Sequence, residues 1–254
     1  MTSSDDFYNQ LGGDYDTIID WEDRLAREGP FLRRLFGEHG VHSVLDTACG
    51  TGEHAAAFSS WGYEVVGCDI SEEMLATCRR KYGDRDIAWA QGAFGSTYSR
   101  LGRSFDGVTC LGNSFPHVLT DDDARLAMED FARLLRPGGI LVVQQLNYRA
   151  MALRGERFWG PQRRPTPDGE LLFVRIFDLG RSPLRFTILK LARSGDSWSL
   201  SAAETEHRAW TTEEMTALAS AAGLTPIEQY GAFDGRPFDA RSSDQMILVA
   251  QRPR

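Results

Sequence analysis

The stretch Val44-Leu45-Asp46-Thr47-Ala48-Cys49-Gly50-Thr51-Gly52 runs from apolar and β-branched residues into a turn of small ones, and a helical pattern begins near His54. Glycine has no Cβ to block a ligand and accepts positive φ, so such a turn lets a molecule lie against the backbone beside the free N–H groups of a helix start. Asp69 ends the next strand-like run, roughly 20 residues further on, the spacing at which one carboxylate meets the two hydroxyls of a ribose. The turn reads D-T-A-C-G-T-G rather than G-x-G-x-x-G. With fewer glycines and an acidic start, it suits a cationic amino-acid tail better than a pyrophosphate. Alone, Asp69 could equally close a strand ahead of a Ser71 helix cap; the upstream turn favours the binding role.

The elements that must hold these residues alternate short apolar runs with helical stretches, the mark of a parallel sheet covered on both faces. Strands are expected over 43–48, 63–70, 87–91, 105–112 and 139–147, with crossover helices between them. Ser71, followed by Glu72 and Glu73, caps one helix. Another begins after 120 and stops at Arg136-Pro137-Gly138-Gly139, and Thr211 with Glu214 forms a capping box on the last. Residues 149–169 read as a Pro- and Arg-containing connection leading into three strand-like runs separated by RSP and SGD turns. The expected organisation is an N-terminal helical segment or lid over 1–40, a Rossmann-like core over 41–150, an antiparallel β cap over 151–208 and completion of the core sheet over 209–254. The fold class is α/β: a seven-stranded, mostly parallel sheet flanked by helices, with the small antiparallel insert.

Composition narrows the partners. A net charge of -8 repels phosphate backbones, so a small molecule is expected and nucleic acid is not. No run approaches the ~20 apolar residues of a membrane helix, and the acidic first residues do not resemble an export signal. The four cysteines form no C-x-x-C pair and fit a reduced, cytoplasmic chain, and neither they nor the five histidines show metal-ligand spacing, so no metal is expected. Arg149, Arg154, Arg157, Arg163 and Arg164, interleaved with Phe158 and Trp159, read as a cationic mouth or, more commonly, a solvated loop.

The turn at Asp46–Gly52, Asp69 and Leu134-Leu135-Arg136-Pro137-Gly138-Gly139 together resemble a class I S-adenosylmethionine-dependent methyltransferase. Leu111-Gly112-Asn113-Ser114-Phe115-Pro116-His117 and the pair Asn147-Tyr148 are similar, more narrowly, to the glycine and sarcosine N-methyltransferases. The resemblance implies that Asp46, Ala48 and Gly50 lie at the methionine part of the cofactor, with Arg24 pairing its carboxylate. Asp69 then holds the ribose, with Ile70 beside it; Met74, Ala93 and Phe94 contact the adenine, and Leu111 and His117 close over the methionine side. It places Asn113 at the methyl acceptor, with Tyr15, His117 and Tyr148 as further polar neighbours for a catalytic role, and it allows a homo-oligomer. His207 and Glu206 lie where the insert returns to the sheet and either reach the acceptor or pack structurally.

One departure bears on the substrate. The glycine-type pattern carries an arginine just before the Asn-Tyr pair, where this chain has Leu146, which removes the anchor of a small carboxylate. The expected reaction is methyl transfer to a small molecule, with an amine nitrogen favoured over oxygen. An NAD-dependent oxidoreductase and a non-catalytic cofactor-binding protein share the scaffold.

Overall fold

A computed structural model describes Phe7, residues 15–166 and residues 169–254, the side chain of Tyr15 excepted. The core strands are β1 (Ser43–Thr47), β2 (Glu64–Asp69), β3 (Ile87–Gln91), β4 (Phe105–Cys110), β5 (Leu135–Leu146), β10 (Thr225–Tyr230) and β11 (Gln245–Gln251), and the insert strands are β6 (Phe158–Thr166), β7 (Gly169–Asp178), β8 (Leu184–Ser194) and β9 (Ser197–His207). The helices are α1 (Tyr15–Ile18), α2 (Trp21–Glu38), α3 (Glu53–Ser60), α4 (Glu72–Tyr82), α5 (Thr97–Leu101), α6 (Asp121–Leu134), α7 (Tyr148–Arg154) and α8 (Thr212–Ala221). The seven core strands order as β10-β11-β5-β4-β1-β2-β3 and the insert as β6-β7-β8-β9. β3, β2, β1, β4 and β5 run parallel, and β11 is antiparallel to both β5 and β10.

Alternation along the strands sorts side chains to two faces. Leu45, Leu141, Val143, Leu248 and Ala250 join Met128 and Phe131 of α6 and Met215 of α8. Their neighbours Val44, Ile140, Val142, Ile247 and Val249 join Phe31, Leu32 and Phe36 of α2 and Phe58 of α3. Each fully buried side chain of this size contributes ~1.5–3 kcal/mol of transfer free energy, so residues that alternate in this way bind helices to both faces. The expected caps are in place: Ser71 Oγ accepts from the Met74 N–H, and Thr211 and Glu214 form the reciprocal capping box.

Four expectations are corrected. The fifth core strand spans Leu135–Leu146 rather than 139–147, and its pairing with β4 shifts register between Phe105 and Gly107, so Arg136–Gly139 is absorbed as an irregularity inside the strand. The insert has four strands, not three. Residues 158–166 form β6 despite Pro161 and Pro165, because β6 is the edge of its sheet and its register against β7 breaks between Trp159 and Gln162, the places where a missing N–H is tolerated. The arginines there do not form a bare cationic mouth: Arg163 pairs with Glu170, Arg157 with Asp178, Arg154 with Glu156, and Arg164 donates to the Thr17 carbonyl. Lastly, Tyr148–Arg154 is a helix whose cap is Asn147.

The insert lies over the carboxyl ends of the core strands. Phe173 and Ile188 pack with Phe7 and Ile18, while Phe177 and Leu184 pack with Tyr148 and Met151 of α7 and with Leu146. No described helix is long and apolar enough to cross a membrane.

Candidate functional site

After β1 the chain turns toward β2 on one side, and β4 lies on the other. Strand order therefore reverses at β1, and ligands of open α/β sheets bind in such crevices. A cavity of about 470 Å³ opens there, lined by Ala48, Gly50, Asp69, Ile70, Met74, Gly92–Phe94, Ser114, His117–Thr120, Asp123 and Leu126. Its volume lies in the ~300–1,000 Å³ range of small-molecule sites. Every βα connection from β1 to β4 contributes to the wall, which is why residues far apart in sequence meet.

The turn is built for close approach. Ala48 (φ 53) and Gly50 (φ 55) both take the left-handed conformation. Gly52 (φ 85) faces Trp89, whose ring would lie 2.7 Å from an added Cβ. Asp69 ties this turn to the end of β2: Oδ2 accepts from the Gly50 N–H at 2.8 Å and Oδ1 from the Ser71 N–H at 2.9 Å. Backbone donors from the turn and from the start of α4 thus hold the carboxylate at the wall of the cavity.

Asp46 sits beneath the turn, 2% exposed. Thr109 Oγ1 donates to its Oδ1 at 2.8 Å, while Oδ2 is buried without a hydrogen-bond partner among the described residues. Burial pushes its carboxyl up to about 6 against the opposing influence of the nearby His54. Asp46 itself lines neither this cavity nor the one beside α2, and its unpartnered oxygen could be satisfied by a hydrogen-bond donor or a cation.

A second cavity of about 380 Å³ lies between α2, the ends of β4 and β5, and the insert; its walls include Arg24, Glu28, Asn113, Leu146, Trp159, Phe177 and His207. Arg24 thus lines this cavity rather than the larger one. Its Nε donates to Glu28 Oε1 at 2.8 Å, and Glu28 Oε2 meets His54 Nε2 at 2.7 Å, so a buried Arg-Glu-His cluster braces α2 against α3. Asp16 docks α1 by accepting from the Trp21 indole and from Thr51, next to the turn, and by pairing with Lys81.

Of the expected cofactor residues, Ala48, Gly50, Asp69, Ile70, Met74, Ala93, Phe94 and His117 line the larger cavity together. Leu111, the residue after β4, does not: it is 3% exposed and its side chain packs in the core with residues of α2. Of the expected catalytic residues, Asn113 lines the second cavity, and its Nδ2 donates to Tyr148 Oη at 2.7 Å. Tyr15 opens α1, but its side chain lies outside the described part. Asn147 is structural: it caps α7 and donates to the carbonyls of Ala240 and Ser243. Gln144 was not anticipated; its Oε1 accepts from the Gly112 and Asn113 N–H groups and so shapes the loop between the cavities. Only the register of β5 reveals that role. Among the described residues no group of three or more His, Cys, Asp or Glu gathers that could hold a metal.

Comparison with known proteins agrees with this geometry. The family profile described as methyltransferase domain matches residues 44–139. A glycine/sarcosine N-methyltransferase of Parasynechococcus marenigrum is 39% identical over 136 residues, which is 53% of this chain and 48% of the relative. The chain spans about half the length of the curated relatives it matches. Among solved structures, an S-adenosylmethionine-dependent methyltransferase of Clostridium acetobutylicum superposes with a TM-score of 0.79 at 16% identity, covering 97% of this chain and 99% of the other. A sugar N-methyltransferase of a Streptoalloteichus species gives 0.76 at 23% identity over 96% and 94%. The fold is that of these enzymes, and the resemblance drawn from the sequence holds.

Proposed function

We propose that this chain, methyltransferase in fold, transfers a methyl group from S-adenosylmethionine to an amine nitrogen of a small molecule. The observation that carries the reading is the convergence of eight sequence-expected residues on one cavity at the switch point, above a buried carboxylate with an open acceptor. The residues present fit the cofactor. Asp69 offers the ribose an acceptor, Met74 and Phe94 give adenine an apolar wall, Ala48 and Gly50 let the methionine part press on the backbone, and the orphaned Asp46 oxygen suits an ammonium group. Bound S-adenosylmethionine supplies a methyl already activated on a sulfonium, so the protein needs mainly to position the acceptor in line.

The second cavity is the place for that acceptor. Asn113, whose Oδ1 is held by the Leu146 N–H at 2.8 Å, presents a fixed amide at the boundary between the cavities. Leu146, Trp159, Phe177 and Phe186 give the cavity an apolar and aromatic side. At position 146 a glycine-sized carboxylate finds a leucine where the resemblance puts an anchoring arginine, and the cavity is wide, so an amine with a larger body is the favoured class, its polar groups within reach of Arg24, Arg27 and Arg175 in the same wall. The N-methylating relatives make nitrogen the favoured acceptor atom.

Calorimetric titration with S-adenosylmethionine, S-adenosylhomocysteine and NAD, followed by an amine panel read by S-adenosylhomocysteine release, tests this function. Binding of the first two and turnover of an amine are expected; binding of NAD alone, or silence from all three, overturns the reading. The ionisation of Asp46 adds a sharper expectation. A cationic tail favours the carboxylate over the carboxylic acid, so affinity for S-adenosylmethionine should fall as pH drops through about 6. Asp46→Asn should bind more weakly and lose that dependence between pH 5 and 7; an unchanged slope in the variant rules Asp46 out as its source.

A further inference from the structure

Between the two cavities runs a series of hydrogen bonds whose directions can be assigned one from another. It begins at the backbone, where the Leu146 N–H can only donate, so the Asn113 atom 2.8 Å away is Oδ1 and the amide nitrogen faces Tyr148. Asn113 Nδ2 donates to Tyr148 Oη at 2.7 Å. Tyr148 is 4% exposed, and its hydroxyl proton needs an acceptor; Nδ1 of His207 lies 2.8 Å from the oxygen. His207 must then carry its proton on Nε2, which stands 3.3 Å from Nε2 of His117. That nitrogen accepts, which places the His117 proton on Nδ1, 3.5 Å from Thr205 Oγ1.

Desolvation pushes His117 down to about 4 and His207 well below its ordinary value, so neither ring carries charge near neutral pH. Two imidazole nitrogens at this separation could also share a metal, but no third ligand stands with them among the described residues. His117 lines the cofactor cavity, while His207 and Asn113 line the acceptor cavity. The chain therefore forms the wall between them.

We propose that His207, acting through Tyr148, is a positioning residue for the acceptor: the chain from Asn113 to His117 locks each histidine in one tautomer and holds the Asn113 amide at the boundary between the cavities. Its tautomer content stands on the hydrogen-bond geometry; its bearing on turnover rests on the methyl-transfer reading. The rings contribute no positive charge beside a sulfonium, and the fixed amide cannot rotate away from an acceptor. Histidine at 207 suits this place because its two nitrogens, on opposite edges, accept from one neighbour and donate to the other.

Imidazole nitrogen NMR on the full-length protein reads the tautomers directly. Wild type should show His207 protonated on Nε2 and His117 on Nδ1, with or without S-adenosylhomocysteine. In Tyr148→Phe, which removes the donor to His207 Nδ1, His207 should lose its single pattern and His117 should change with it. Thr205→Val, a milder change at the far end, should disturb His117 first and serves if Tyr148→Phe does not fold. With any amine that wild type methylates, Tyr148→Phe should lower kcat on the order of tenfold while S-adenosylhomocysteine affinity stays within about twofold. Protonation of His207 on Nδ1 in wild type, or patterns unchanged in both variants, overturns the proposal. Failure of wild type to bind S-adenosylhomocysteine overturns the methyl-transfer reading instead and leaves the tautomer result standing.

Discussion

Asp69→Ala should weaken binding of S-adenosylhomocysteine by about 3 kcal/mol, raising the dissociation constant on the order of 100-fold. Hydrogen bonds to a charged group contribute ~1.5–3 kcal/mol each, and the proposed ribose contacts place two such bonds on this carboxylate. A second effect acts in the same direction. Asp69 also accepts from the Gly50 and Ser71 N–H groups, so its loss frees the turn that must lie against the ligand and leaves backbone donors in need of new partners. Asp69→Asn, which keeps an acceptor but loses the charge, should fall between the two. Asn113→Ala should leave cofactor affinity nearly unchanged, since Asn113 lines the other cavity. Titration calorimetry on all three variants separates the roles, and equal loss of affinity in Asp69→Ala and Asn113→Ala would contradict them.

Glu28→Ala should be the most destabilising single change near the site. Glu28 is 6% exposed and holds both the Arg24 guanidinium and the His54 ring, so its removal strands a guanidinium that is itself largely buried. Breaking a buried pair from one side costs about 3–5 kcal/mol, which for a chain of this length lowers Tm on the order of 10 °C. Glu28→Gln retains hydrogen bonding and should lose less. Burial alone would raise the Glu28 carboxyl, but the hydrogen bond to His54 and the charge of Arg24 outweigh it, and the group lies below its ordinary value of 4.5. A carboxylate depressed in the fold contributes stability that is complete above its unfolded pKa and is lost as pH falls through the lower folded value. The gap in Tm between wild type and Glu28→Gln should therefore be widest above pH 5 and close as pH drops well below 4.5. Scanning calorimetry across pH 3 to 7 reads it, and a gap that is constant over that range would show that the charge of Glu28 contributes nothing.

The sheet and its small-residue turn were legible because local chemistry writes them. Val44–Gly52 combines a doubly buried strand with small residues that tolerate positive φ, and Asp69 follows at the strand end, so neither needs a distant partner to be recognised. β6 was not legible, since prolines and arginines mask its alternation and only its edge position permits them. Arg24 shows the same limit at the level of one side chain. Its helix, and with it the i,i+4 pair with Glu28, follow from sequence, but the contact of Glu28 with His54 and the cavity that Arg24 lines depend on where α2 settles against α3 and β4. The resemblance puts Leu111 at the methionine side of the cofactor, while its side chain, just past the end of β4, packs with residues of α2, which only the tertiary structure shows.

By itself the sequence determined the α/β class, the small-residue turn after β1, the acidic residue that ends β2 and the loop carrying Asn113 and His117, because each rests on residue type and short-range periodicity. Tertiary structure alone decided where the larger cavity and the one beside it lie, that the insert supplies the aromatic wall of the latter, and that His117 and His207, ninety positions apart, meet at 3.3 Å. The physical reason is that hydrogen-bond direction and burial are properties of neighbours in space, and those neighbours come from strands and helices brought together only when both faces of the sheet are covered.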